Sequence, residues 1–343
     1  MEFPRRHMAG FFTALFCCFF GLAAQAEPLP VLRISTENNQ HHVQTKVIGL
    51  FAGRLREKLK GKLAVEHYHS ARLFRDRRVV KALADGKVEM AVPGTWQLDR
   101  FEPSVGLFLL PMFYGRNADF NHRLRDTEIG QEINSRIGKS LDVTVLGRWI
   151  DLGHAHLYSV KKPIESHADL NGMRIRIPGG IANAGRLKAF GAIPEVIPWP
   201  DLPQALTFGK IDGVLTTHAT VASARLWEKG IRYAFEDKQY FPQYIPIISS
   251  HFWNKLPGEI QQTIRETWES VVDEGRSMAA AAQRNALTAL RVNGISVVTP
   301  SPKALAQKRK DILPQQAEIS ARMGVDPALI KTAETLINAK KLK

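Results

Sequence analysis

Apolar positions recur along this chain in two alternating periods. Val31-Leu32-Arg33-Ile34-Ser35-Thr36 is rich in β-formers and runs into the polar loop Glu37-Asn38-Asn39-Gln40. Val47, Ile48, Phe51, Leu55 and Leu59 then fall three and four residues apart, which predicts a helix over 43–60, ended by Gly61. Residues 63–68 predict a second strand and Arg75 to Ala84 a second helix, closed by Gly86. Val88 to Val92 predicts a third strand, stopped by Pro93-Gly94. Such β-α-β-α-β alternation implies a sheet with helices on both faces.

The alternation restarts after residue 143. Strands are predicted at 143–147, 156–159, 174–177, 195–197 and 213–215, with helices at 181–190 and 202–208. Two such units predict an α/β fold of two lobes. From Glu259 to Arg291 there is no proline and one glycine, Gly275, so a helix of roughly 50 Å is expected. Ile260, Ile264, Trp268, Val271 and Val272 share its first apolar face. A helix longer than one lobe is wide most simply crosses both. The expected division is lobe I from 27–150 plus about 243–275, and lobe II from 151–242 plus about 276–343, with a hinge where the chain crosses near 150 and 242. The tail from 301 reads as helical and basic.

The first 26 residues read as a secretory leader. Arg5 and Arg6 precede an apolar stretch over 9–24, and Ala24-Gln25-Ala26 offers small residues at a peptidase site. An uncleaved anchor is the alternative; Phe16 before Cys17 argues against a lipoprotein. Removal of the leader takes away both cysteines, Cys17 and Cys18. Thiolate chemistry and disulfides are thereby excluded from the mature chain. It also removes Arg5, Arg6 and Glu2, so the formal charge falls from +14 for 343 residues to +13. Export makes nucleic acid a poor partner for that excess; small anions or acidic headgroups fit better. A periplasmic location is expected.

The phosphate loop, the dinucleotide fingerprint, the serine elbow and H-E-x-x-H are all missing, which argues against an enzyme. Two pairs, His67-x-His69 and His154-x-His156, put imidazoles two apart on strands, where they either share a metal or are polar residues of one strand face. Arg174 and Arg176 alternate with Met173, Ile175 and Ile177 just before Pro178-Gly179-Gly180. A buried, unpaired guanidinium is costly, so these arginines want either an internal acid or a bound carboxylate.

Four segments carry a more specific signal: HSARLFRDRRVVKALADGKVEMAVPG (69–94), FEPSVGLFLLPMFYG (101–115), DLNGMRIRIPGG (169–180) and IPEVIPWPDLPQALTFGKIDGVLTTH (193–218). In this order and spacing the chain resembles the solute-binding protein of a TRAP transporter, of the dicarboxylate-binding type. The resemblance implies a two-lobed periplasmic binding protein, without enzymatic activity or cofactor, whose lobes close on a small organic acid. It puts the ligand-pairing arginine on Arg176 and the ligand-packing aromatic on Trp199. Thr216 stands where an asparagine is usual. Ala155, flanked by His154 and His156, stands where many members carry a second arginine, and Gly94 where they carry an acid.

Those departures point to a monocarboxylate near Thr95, Trp96, Gln97, Trp199 and Thr216, with Asn39, His154 and His156 as further polar contacts. Core packing is the alternative for Trp96 and Trp199. The implied partners are the membrane permease subunits of a TRAP transporter. A sensor kinase is the rival partner, and a secreted metal-dependent hydrolase built on the histidine pairs a more distant reading.

Overall fold

The computed structural model describes residues 1–2 and 28–339; the leader, with its cleavage site and both cysteines, lies outside the described residues. In chain order the strands are β1 (Val31–Ser35), β2 (Ala64–Tyr68), β3 (Met90–Ala91), β4 (Val143–Val145), β5 (Ile150–Asp151), β6 (Ala155–Ser159), β7 (Arg174–Ile177), β8 (Ile193–Val196), β9 (Gly213–Thr217), β10 (Tyr233–Tyr240), β11 (Gln243–Tyr244), β12 (Ile247–Ser249) and β13 (Ser296–Val298). They build two mixed sheets, ordered β2-β1-β3-β12-β4 and β13-β10-β6-β9-β7-β8, and a two-stranded ribbon of β11 and β5. The fold is α/β with two lobes, one around each sheet.

The first sheet follows from the leading β-α-β-α-β pattern, since β1 pairs in parallel with both β2 and β3. The helix Val43–Lys58 is started by His42, whose ring nitrogen accepts from the Gln44 N–H at 3.1 Å. It buries Val47, Ile48, Phe51 and Leu55 against the sheet and the long helix, each side chain contributing about 1.5–3 kcal/mol. The return strand β12 slots between β3 and β4, antiparallel to both. This insertion is invisible to local periodicity, because it joins segments far apart in sequence.

The chain passes between lobes at β5 and at β11, which pair antiparallel. At this joint the buried Asp151 accepts from Gln243 Nε2 at 2.8 Å and is bonded to His122 Nε2 at 2.6 Å. Burial alone would raise its carboxyl, but the His122 bond and the Arg125 guanidinium hold it below the usual range.

The long helix runs from Gly258 to Val292, 35 residues. Its first half lies on lobe I, where Trp268 meets Phe51 edge-on at 5.3 Å. Gly275 lets the helix approach Val47, since a Cβ there would come within 2.8 Å of that side chain. Its second half lies on lobe II: Gln283 accepts from the Ala219 N–H and donates to the Leu152 carbonyl, and Leu290 enters the core of the second lobe. Of the helices that follow, Pro302–Ile312, Gln316–Met323 and Pro327–Asn338, the last packs on lobe I and Gln316–Met323 touches both lobes, where the sequence division assigned all three to lobe II alone. Gln316 accepts from the Met112 N–H and Arg136 pairs with Asp326 on the lobe I side, while Gln316–Met323 also packs on the helix Ile181–Ala189. Among the described residues no helix is long and apolar enough to cross a membrane.

Candidate functional site

Strand β7 separates its two arginines. Arg174 donates through Nε and Nη2 to Asp212, at 3.0 and 2.9 Å, and to the Gly209 carbonyl, so it serves as an internal, part-exposed ion pair. Arg176, two residues on, is 2% exposed and reaches into a cleft between the lobes. Its Nε donates to the Ile197 carbonyl at 2.9 Å, which fixes the plane of the fork. Its guanidinium carbon stands 5.8 Å from the centre of the Trp199 ring, within cation–π range. Trp199 lines the cleft and also packs on the core of lobe II, so it combines both roles considered for it.

The cleft encloses about 440 Å³, part of it open to solvent. Lobe I supplies Glu37, Asn38 and Trp96; lobe II supplies Arg176, Thr216 and Thr217; β11 supplies Tyr244, and Leu152 and Pro242 come from the residues flanking the crossing strands. Trp96 is buried, meets Tyr244 edge-on at 5.5 Å, and its indole N–H has no hydrogen-bond partner in the protein. A buried donor without a partner is expensive, so this one suits a ligand acceptor. Asn38 donates to Gln44 Oε1 at 2.6 Å and to the Tyr244 hydroxyl at 2.9 Å, which holds the wall under Trp96. Glu37 is the acid among the lining residues, and one of its oxygens is buried without a partner.

The remaining expected contacts stand around the cleft rather than in it. Thr95 is bonded to the Tyr240 hydroxyl at 3.1 Å. Gln97 donates across the lobes to the Pro178 carbonyl at 3.2 Å, and Asn39 to the Ser223 carbonyl at 3.1 Å. Neither lines the cleft; both tie lobe I to lobe II. Further ties run from His42 to Thr220 at 3.1 Å and from Arg75 to Asp201 at 3.1 Å. Asp99 accepts from the Ile181 N–H at 2.7 Å, at the N-terminus of the helix Ile181–Ala189. Burial pushes the Asp99 carboxyl up to about 6, against the lowering pull of that N–H. These contacts describe two lobes closed on one another.

Neither histidine pair forms a two-imidazole site. His67 is bonded to Thr36 Oγ1 and His69 to Ser70 Oγ, both at 2.8 Å. His154 is bonded to the Arg116 carbonyl at 2.8 Å, and burial lowers its ring to about 4. His156 turns to His218, ring centres 4.5 Å apart, rather than into the cleft.

Residues 34–322 match the bacterial extracellular solute-binding protein family 7. The chain belongs to this family. Like other family 7 proteins it is a solute-binding protein rather than an enzyme. The 2,3-diketo-L-gulonate-binding periplasmic protein of Escherichia coli K12 is 24% identical over 279 residues, 81% of this chain and 82% of that one. The C4-dicarboxylate-binding periplasmic protein of Rhodobacter capsulatus is 24% identical over 282 residues, 80% and 81% of the two chains. A TRAP periplasmic solute-binding protein of Sulfurospirillum deleyianum, solved with bound succinate, shares the fold with a TM-score of 0.79 and 23% identity, over 89% of this chain and 98% of that one.

In this family 7 protein, sequence reasoning missed Glu37, Asn38, Tyr244 and Thr217 of the cleft wall. Asn38 had a signal: it stands beside Asn39 in the polar loop after β1, and only the way the loop turns decides which amide faces the cleft. Tyr244 had none, because its place depends on the pairing of β11 with β5.

Proposed function

We propose that this protein is a periplasmic receptor that captures a small monocarboxylate in the cleft and delivers it to the membrane subunits of a TRAP transporter. One observation carries the reading: Arg176, buried and oriented by Ile197, is the cationic side chain among the described residues that line the cleft. A guanidinium fork held in this way matches one carboxylate by two parallel N–H bonds. Glu37 on the opposite lobe would repel a second carboxylate and accept from a hydroxyl or another donor on the ligand body. The Trp96 indole N–H adds a donor, while Trp199 and Leu215 offer apolar surface.

Capture would follow a two-state scheme, with the open form shifted to the closed one because the ligand touches both lobes only when they meet. The crossing strands β5 and β11 are the natural hinge, and the long helix bends with them. Kinship with proteins named for diketogulonate, C4-dicarboxylate and succinate binding supports an organic acid as ligand and the periplasm as location.

A thermal-shift screen of small organic acids on the mature protein tests the proposal. Hydroxylated monocarboxylates are expected to raise the melting temperature, by about 2.7 kcal/mol of stabilisation at 100 times the dissociation constant. A screen in which dicarboxylates alone, or no acid at all, shift the melt would overturn it.

A further inference from the structure

Beside the cleft wall, three side chains from different elements converge. His156 comes from β6, His218 from the start of the helix His218–Ser223, and Glu236 from β10. One nitrogen of each histidine and one oxygen of Glu236 lie within 4.8 Å of one another, and all three residues are buried. The register of β10 against β6 breaks between Phe235 and Tyr240, and Glu236 stands in that bulge. Bulges re-aim side chains, here a carboxylate towards two imidazoles.

We infer that His156, His218 and Glu236 form a binding site for a divalent transition ion of the zinc class, separate from the organic-acid cleft. Two imidazoles and one carboxylate make a donor set suited to zinc, cobalt or nickel rather than magnesium or calcium. Outer partners for two of the three donors are already in place. His218 Nδ1 is bonded to the Tyr158 hydroxyl at 2.6 Å, which leaves Nε2, 2.9 Å from Glu236 Oε1, for the ion. The other Glu236 oxygen accepts from the Thr299 hydroxyl. His156 Nδ1 is buried and has no hydrogen-bond partner in the protein. That nitrogen is the second, independent pointer, because the hydrogen-bonded chain Tyr158–His218–Glu236–Thr299 needs no contribution from it. Tetrahedral bonds of about 2.0–2.2 Å set donors roughly 3.3 Å apart, a spacing that sub-ångström shifts of the three side chains would reach.

The ion would act as a brace, not as a ligand contact. His156 pairs with Thr216 in the β6–β9 ladder and so shares its sheet face, and His218 follows Thr217 directly, so the site adjoins two threonines of the cleft wall.

The test uses the mature protein with any affinity tag removed and metal stripped by chelator. Zinc and cobalt titrations should give one equivalent bound, a higher melting temperature, and the visible absorption bands of tetrahedral cobalt. His156→Phe keeps a ring in the stack and removes a ligand; Glu236→Gln keeps hydrogen bonds to His218 and Thr299. Each should weaken uptake at least tenfold, while His67→Phe leaves it unchanged. No stoichiometric uptake by the parent protein would overturn the inference, as would uptake unaffected in Glu236→Gln, the variant that decides if His156→Phe fails to fold. Organic-acid binding is read separately by calorimetry, so loss of the metal site and loss of the receptor function remain distinguishable.

Discussion

A Cβ placed on Gly94 would lie 2.3 Å from Cη2 of the Trp96 indole, so the ring occupies the space that a side chain at residue 94 would need. The resemblance had flagged Gly94 as the place of a missing acid, and the geometry gives a reason. A chain with tryptophan at 96 in this position has no room for any side chain at 94.

Gly94→Ala is therefore expected to displace the indole. Overpacking of this kind costs about 1–3 kcal/mol, seen as a lower melting temperature and a loss of ligand affinity on the order of tenfold. In a Trp96→Ala background the same glycine substitution should cost almost nothing. Melting curves and calorimetry on the two single variants and the double variant give the coupling; additive effects would contradict the clash.

Glu37 is expected to act as the discriminating charge. Glu37→Gln should improve binding of C4-dicarboxylates at least tenfold relative to the parent protein, because it removes repulsion while keeping a polar group of the same shape. Competition calorimetry with a monocarboxylate and a dicarboxylate checks this ratio, and an unchanged ratio would place the discrimination elsewhere.

Asp99 predicts how closure depends on pH. In the closed form its carboxyl is pushed up to about 6 by burial beside the Ile181 N–H; opening returns it towards about 3.9. The closed form thus holds the proton more tightly, and closure is favoured as pH falls. That advantage is complete below about pH 4 and is lost as pH rises through 6. A ligand that stays ionised throughout should bind up to about tenfold more tightly at pH 5 than at pH 7. Asp99→Asn should flatten the profile, which isothermal titration at the two pH values would read directly.

Much of this fold was legible because its elements are locally consistent. The helix Val43–Lys58, the long helix and the parallel strands β1, β2, β7 and β9 each carry their own periodicity and stop signals. What escaped were the pieces whose reason is tertiary. Strand β12 exists only because the returning chain finds an open edge between β3 and β4. The helices Ala118–Arg125 and Glu128–Leu141, capped by Asn117 and Thr127, went unread although their caps were visible. In the site, Arg176 and Trp199 stood out through motif and resemblance, and Arg174 became an ion pair because Asp212 was within its reach. Asn39 and Gln97 were read as ligand contacts because they are polar and near the cleft; in the closed form their amides bond across to the other lobe.

The central claim is that one carboxylate is held by Arg176, and calorimetry on Arg176→Ala and Arg176→Lys tests it most directly. Circular dichroism and melting curves on both variants establish that they are folded before affinities are compared, because Arg176 is buried and bonds the Ile197 carbonyl. Removal of a charged hydrogen bond costs about 1.5–3 kcal/mol, so Arg176→Ala should bind at least tenfold more weakly, and Arg176→Lys should recover only part of that, lacking the planar fork. A folded Arg176→Ala protein that binds its acid as tightly as the parent would contradict the account.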